Sequence, residues 1–527
     1  MRTRLTPIVL LLLAACSPAT TTTPEPDGGP RDGGPSADAG PDATGDDADA
    51  DAHVSLGDAG PDTGSQDGGD ADADGSSSTT PTLVLADPDV TLLGITSDEV
   101  VLYQKASTIY AIPLTGGTPE LVTKEPYVQR EIDGPALFLF SREGDSTTAF
   151  TLRSWTKAGG LKTVAPYARS IDAGPSTLLP STPVNADGSK MAFVALDASG
   201  TTGTITTAAL DGTGAVALAT PPLATCGFGA DTPVEQLRFA PNGDLFAWYC
   251  VASDGGGQQQ SFTYVVGGGA PKTITGDQIN VSPDGAYLFD VQPDGSASLV
   301  RLKDGVRTAL DTGVAPGAVA QVPLEASHQP CLFDATGATV YYVANGALRY
   351  ASTANPVAAT VPGAGAVTTL QRVSPDGAYA AFTSGQPSQL KLVNPGWAAA
   401  TVLASDATGV GTVFTSDSKY VVLSTSDGTY TAALSSLPIA APDAGAAQPV
   451  KLTGGAWEDL PLSGAEILSP VGTDILVLDA SGANPANAIA SGLGNANSKP
   501  EESWGISADS KEIVYLTSTG IYAVAVK

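Results

Sequence analysis

Beyond residue 81 the chain alternates apolar and polar residues in short bursts, each cut off by Gly, Asp, Asn or Pro. Thr82-Leu-Val-Leu-Ala, Glu99-Val-Val-Leu-Tyr and Glu512-Ile-Val-Tyr-Leu are representative. A period of two over so few residues predicts β-strands, and no stretch sustains the 3.6-residue spacing of an amphipathic helix. The expected class is all-β. Before residue 81 the pattern differs: there is one apolar run, Ile8 to Ala15, and then a long polar tract. That run is too short for a hydrocarbon core, which takes roughly 20 residues in a helix.

The bursts repeat one another. Ser282-Pro-Asp-Gly-Ala-Tyr-Leu-Phe, Ser374-Pro-Asp-Gly-Ala-Tyr-Ala-Ala-Phe and Ala240-Pro-Asn-Gly-Asp-Leu-Phe-Ala-Trp share one plan. Looser copies begin at Asn185, Thr415 and Ser507, further ones at Thr96 and Asp334, and weaker ones near Ile132 and Ser469. The Asp-Gly step is a tight turn, because glycine accepts a positive φ and a preceding proline presets its own. The apolar run after it is expected to be a strand buried on both faces. A second strand and turn follow, as in Thr108-Ile-Tyr-Ala-Ile-Pro-Leu-Thr-Gly-Gly, and a third piece such as Pro119-Glu-Leu-Val-Thr closes the unit. Anchored on the Asp or its equivalent (98, 187, 242, 284, 336, 376, 417 and 509), the units lie 38 to 55 residues apart once the weak copies are counted. That is the scale of one four-stranded propeller blade.

These Ser-Pro-Asp-Gly-x-Tyr units resemble the WD40-like (PD40) repeats of TolB and the propeller domains of prolyl oligopeptidase relatives. The resemblance covers most of residues 82–527 and implies a single β-propeller of about 8–10 four-stranded blades. A β-sandwich array is the alternative. Ring closure is expected to pair Thr82–Ala86 with the final strand, Ile521-Tyr-Ala-Val-Ala-Val. Closure leaves few free sheet edges, so the expected state is a monomer.

Charge sharpens the division of the chain. The formal net charge is −30, and −14 of it falls between Ser17 and Pro81, against −18 for residues 82–527. Residues 16–81 are built from Asp, Ala, Gly and Pro and cannot bury enough apolar surface to offset their ordering entropy, so a disordered tether is expected. Some 65 flexible residues span roughly 45 Å, and like charge extends them further. Ahead of it, Arg2 and Arg4 precede the apolar run in the layout of a secretory signal, residues 1–15. Leu13-Ala14-Ala15-Cys16 resembles the lipobox of bacterial lipoproteins, which implies cleavage before Cys16 and lipid attachment to it. An ordinary signal peptide with a chance cysteine is the alternative. By the same resemblance, Ser17 in place of Asp favours the outer membrane, with the body facing the periplasm or the cell surface. So acidic a chain is a poor nucleic-acid binder.

Candidate chemistry is sparse. The two histidines, His53 and His328, leave little room for imidazole-based metal or triad chemistry. Asp70-Ala-Asp72-Ala-Asp74-Gly75 opens like a calcium loop, but the twelfth position is Pro81 rather than Glu. No Gly-x-Ser-x-Gly elbow occurs, although prolyl oligopeptidase relatives carry a hydrolase domain. No catalytic residue, metal or cofactor is expected, and the recurring Asp residues read as turn caps. With Cys16 lipidated, Cys226, Cys250 and Cys331 remain in an oxidising compartment. Cys226 and Cys250 fall in one predicted blade and are the preferred disulfide, closing a loop worth roughly 3 kcal/mol. Among the tryptophans, Trp248 reads as core, while Trp397 and Trp457 beside glycines are candidates for exposed contacts.

Two functions fit. One is a non-catalytic scaffold at the outer membrane that binds protein or envelope polymer. The other is a propeller enzyme acting on polysaccharide through a carboxylate pair about 5–9.5 Å apart at the channel mouth.

Overall fold

The computed structural model describes residues 81–526, apart from segments at 143–149, 170–181, 198–202, 221–233, 253–257, 277, 316–318, 320–330, 408–409, 426–427, 438–449, 454–459, 462–463, 472–473, 484–486, 492, 494–503 and 508–510. The representative bursts form strands: Thr82–Leu85, Val100–Lys105 and Glu512–Thr517. Among the described residues the one helical element is a 3₁₀ turn, Leu434–Ser436.

The strands make nine antiparallel sheets, eight of four strands and one of seven. The seven-stranded sheet is two blades in sequence. Its shared strand Gly160–Arg169 finishes the first blade on Phe150–Thr156, then turns at its C-terminal end onto Lys190–Leu196 of the second. The second blade's innermost piece is a short segment around Val184, bridged to Met191. The described residues therefore form ten blades, numbered here in chain order: 91–123, 129–169, 182–219, 234–276, 278–311, 331–360, 369–404, 411–453, 460–490 and 504–525. The tenth is completed by Thr82–Leu85, which pairs with Gly520–Ala525 in the register Thr82↔Ala523, Leu83↔Tyr522 and Leu85↔Ile521. This is the expected closure of N-terminal strand on C-terminal strand.

The core is ten separate apolar clusters, and each lies between successive blades. Leu92, Val101 and Tyr103 of blade 1 pack on Val514 and Ile521 of blade 10. On its other side, blade 1 sends Leu102 and Ile109 against Leu137 and Trp155 of blade 2. Further round, Phe289 and Val291 of blade 5 meet Val340 and Tyr342 of blade 6. Tyr341 and Val343, one residue out of phase, meet Leu370 and Phe382 of blade 7. Leu468 and Ile475 of blade 9 join Trp504 and Ile513 of blade 10. The remaining interfaces follow the same rule and close the ring. The second strand of each blade must therefore be apolar at consecutive positions, because alternate residues serve opposite neighbours. Each fully buried aliphatic or phenyl side chain contributes about 1.5–3 kcal/mol to these contacts.

The turn between first and second strands recurs with its chemistry intact. In blade 5 the Ser282 hydroxyl donates to Asp284 Oδ1 at 2.6 Å and accepts from the Tyr287 amide at 2.9 Å. Ala286 N–H donates to the same Asp284 oxygen, and Gly285 sits at φ +71°. Blade 7 repeats this with Ser374, Asp376 and Tyr379, and blade 8 with Thr415, Asp417 and Tyr420. In blade 6 Asp334 takes the serine position and accepts from the amides of Thr336 and Ala338. The weak copy placed near Ser469 is displaced. Its turn lies at Gly464, between Leu460–Pro461 and Glu466–Val471, which pair, and Ser469 is a buried second-strand residue. The signal was weak there because that turn carries no Asp-Gly step.

Candidate functional site

Three features of the ring bear on function: the repeated turns, the innermost strands, and a groove beside blade 10.

The turn carboxylates are spoken for. Each Asp described above accepts two or more hydrogen bonds inside its own turn, and successive turns are laced together. Ala335 N–H donates to Pro375 O, Asp376 N–H to Ser418 Oγ, and Ser97 N–H to Gly134 O. A methyl group on Gly337 would lie 2.6 Å from Asp284 Oδ1, and one on Gly377 would lie 2.6 Å from Asp334 Oδ2. The Ser189 hydroxyl and amide hold the Asp187 carboxyl below the usual aspartate value. These groups are turn caps, as the repetition in the sequence implied.

Polar residues on the innermost strands serve the next blade's free edge. Glu131 and Asp133 of blade 2 accept from Thr182 N–H at 3.2 Å and Val184 N–H at 2.6 Å in blade 3. Asn280 of blade 5 donates to Cys331 O at 3.0 Å in blade 6, and Arg372 of blade 7 donates to Thr412 O at 3.1 Å in blade 8. Burial pushes Asp133 above the ordinary aspartate value, opposed by the amides of Val184 and Gly134. In blade 5 the fully buried Asp290 is likewise raised by burial, with Arg307 and Gln292 opposing. None of these carboxylates lines the cavity described next.

That cavity is an open groove of about 420 Å³. It is walled by Tyr515, Thr517, Ser518, Thr519 and Tyr522 of blade 10, with Ser491 after the last strand of blade 9 and Pro81 ahead of the closing strand. The first strand of blade 10, Trp504–Ile506, contributes nothing to it, so it opens on the outer half of the blade. Tyr515 and Tyr522 are directly opposite in register and their rings stack at 5.8 Å and 19°. Tyr522 Oη lies 2.9 Å from Thr519 Oγ1, which is also 2.9 Å from Thr517 Oγ1. Burial raises the Tyr515 phenol, with Tyr522 adding to it. The groove thus combines an aromatic pair with a chain of hydroxyls, and among the described residues its lining carries no charged side chain. Sequence reading missed it: Thr517-Ser-Thr-Gly looks like any turn, and Pro81 and Ser491 reach it only through ring closure.

The residues singled out from sequence fare unevenly. Cys16, Cys226, His53, His328, Trp457 and the Asp70–Asp74 tract lie outside the described residues. Cys250 is in the strand Leu245–Ala252, opposite Gln260, and its side chain is outside the description. The proposed Cys226–Cys250 pairing is therefore not visible. Cys331 is fully buried in blade 6. Trp397 is half-buried rather than presented outward, packed edge-on against Tyr379 at 5.6 Å. Among the described residues no cluster of His, Cys, Asp and Glu suits a metal ion.

The sheets, their interfaces and the closing strand define the class: a ten-bladed, all-β propeller built from Asp-capped repeats. No known protein family and no curated protein matches the chain. Among solved structures it is similar to a eukaryotic initiation factor at 10% identity, covering 78% of this chain and 88% of that one, with a TM-score of 0.42. It is similar to PorZ, a bacterial surface component of the type-IX secretion system of Porphyromonas gingivalis, at 11% identity, covering 82% and 61%, with a TM-score of 0.31. TolB from Acinetobacter baumannii is similar at 15% identity over 50% of this chain and 61% of that one, with a TM-score of 0.24. The propeller assignment rests on the sheets themselves.

Proposed function

We propose that the chain is an exported lipoprotein whose propeller is a non-catalytic binding scaffold for protein or cell-envelope polymer. In this reading residues 1–15 are removed, Cys16 carries the lipid that anchors the chain in the outer membrane, and residues 16–81 tether the body, residues 82–527. The observation that carries the scaffold reading is the engagement of the repeated carboxylates. They cap turns and edges, while the described groove offers hydroxyls and aromatic carbon, the equipment of recognition. The leader and the acidic tract support the anchor.

Two measurements test it. Fractionation and N-terminal mass spectrometry of the expressed protein should find Cys16 acylated in the membrane fraction, and Cys16→Ser should release the chain. Crosslinking in intact envelopes, followed by purification, should recover one reproducible protein or polymer. Hydrolysis of envelope polysaccharide by the purified body would replace the scaffold with an enzyme.

A further inference from the structure

The groove beside blade 10 has a chemistry of its own. Six hydroxyl side chains, from Ser491, Tyr515, Thr517, Ser518, Thr519 and Tyr522, border it, and the Tyr515 and Tyr522 rings stack. Blade 1 has the same stacked pair, Tyr103 and Tyr110 at 5.5 Å, but its turn is Ala106-Ser107. In blade 6 the pair is Tyr341 and Tyr350, and the turn is Asn345-Gly346. The stack is thus a recurring device for joining two strands, and blade 10 adds to it the hydroxyls and the open space.

We propose that this groove is a binding site for a neutral glycan, a deepening of the scaffold reading on which it rests. A pyranose has an apolar face of C–H groups and a rim of hydroxyls. An aromatic pair beside an uncharged hydroxyl chain matches both, since tyrosine presents an apolar body with a polar tip. About 420 Å³ is within the ordinary range for a small-molecule site and is open enough for a chain to run through. Charge selects further. Residues 82–527 carry −18, and the described lining of the groove holds no cation to offset that field, so anionic polymers are repelled and neutral ones are not.

The test uses the full propeller and four trisaccharides: cellotriose, maltotriose, triacetylchitotriose and trigalacturonic acid. Binding is followed by saturation-transfer NMR and calorimetry. At least one neutral trisaccharide should bind with a dissociation constant of about 1 mM or tighter, and the anionic one should not. Thr519→Ala, on an exposed turn residue, should weaken binding severalfold to tenfold. Tyr522→Phe, which keeps the stack and removes the hydroxyl, should do the same. Ser107→Ala, in the corresponding turn of blade 1, should leave binding unchanged. Circular dichroism of each variant verifies the fold. Absence of binding by all three neutral sugars, or binding indifferent to Thr519→Ala and Tyr522→Phe, overturns the proposal. If envelope crosslinking still captures its partner in that case, only the groove assignment falls. If crosslinking captures nothing, the scaffold reading falls with it.

Discussion

Gly285 is where the repeat and the ring meet, and replacing it with alanine separates two costs. The residue sits at φ +71°, a conformation that charges an L-residue roughly 1–2 kcal/mol. Its missing side chain also makes room for the preceding blade. A methyl group there would lie 2.5 Å from Ala240 Cβ and 3.1 Å from Phe246 Cζ, well inside the 3.5–4.0 Å of an ordinary carbon contact. Both neighbours are buried in blade 4, so they yield only by overpacking, at about 1–3 kcal/mol. The total is about 3 kcal/mol. Gly305 supplies the control: its φ is +77°, and nothing lies within 4 Å of its missing Cβ. Gly305→Ala therefore pays the conformational cost alone. Native-state hydrogen exchange reads the difference at amides closing each turn, Gly285 N–H on Ser282 O and Tyr287 N–H on Ser282 Oγ in one case, Gly305 N–H on Arg301 O in the other. Gly285→Ala should lower protection on the order of 100-fold, and Gly305→Ala on the order of 10-fold. Equal losses would refute the claim that the glycine serves the neighbouring blade rather than its own turn.

Other expectations follow from the same geometry. Val84 is buried against Leu92, Val101 and Ile521, so Val84→Asp should destabilise the closure by roughly 3 kcal/mol or more and open residues 82–86 to limited proteolysis. Exposed Thr82→Asp should not, and equal cleavage of the two variants counts against closure by this strand. Burial, ahead of the opposing Arg307 contact, raises the folded pKa of Asp290 above its unfolded value near 3.8. Its carboxyl therefore favours the fold below that value and loses the advantage as pH rises through the raised pKa. Asp290→Asn should accordingly gain in urea midpoint relative to the parent across that rise, and a relative loss would mean that the Arg307 pairing outweighs burial. Non-reduced peptide mapping should yield a Cys226–Cys250 crosslink, whereas Cys250 joined to Cys331 would overturn that pairing.

What the chain displays openly is what the ring repeats. Wherever Ser-x-Asp-Gly precedes an apolar run, as at 282 and 374, and at 415 with Thr415 and Ser418 in place of the serine and glycine, the turn and the doubly buried strand stand as read. The closure of Thr82 on Ala523 was legible too, since a ring needs its two ends to meet. Legibility fails where a blade departs from the repeat. Blade 3 carries the copy at Asn185, but ahead of its turn stands only a short piece around Val184, whose edge is held by Glu131 and Asp133 from the blade before. The groove was hidden for a related reason. Its walls come from positions 81, 491 and 515–522, and their meeting is a property of closure, not of local sequence.

The same reasoning changes what an acidic residue near the axis means in such a ring. Antiparallel meanders leave the inner edge of every first strand without a ladder partner, and buried backbone groups left so are costly. Here the preceding blade supplies the partner: carboxylates accept from Thr182 and Val184, an amide donates to Cys331 O, and a guanidinium donates to Thr412 O. A buried carboxyl with a raised pKa, such as Asp133, carries the electrostatic signature often associated with an acid catalyst. Its two amide donors, one of them from the adjacent blade, assign it to the edge instead. Polar side chains on the inner strands are thus the price of joining blades without sharing a sheet. In the proposed scaffold reading, recognition falls to surfaces the repeat does not consume, and the hydroxyl-lined groove of blade 10 is the surface proposed for it.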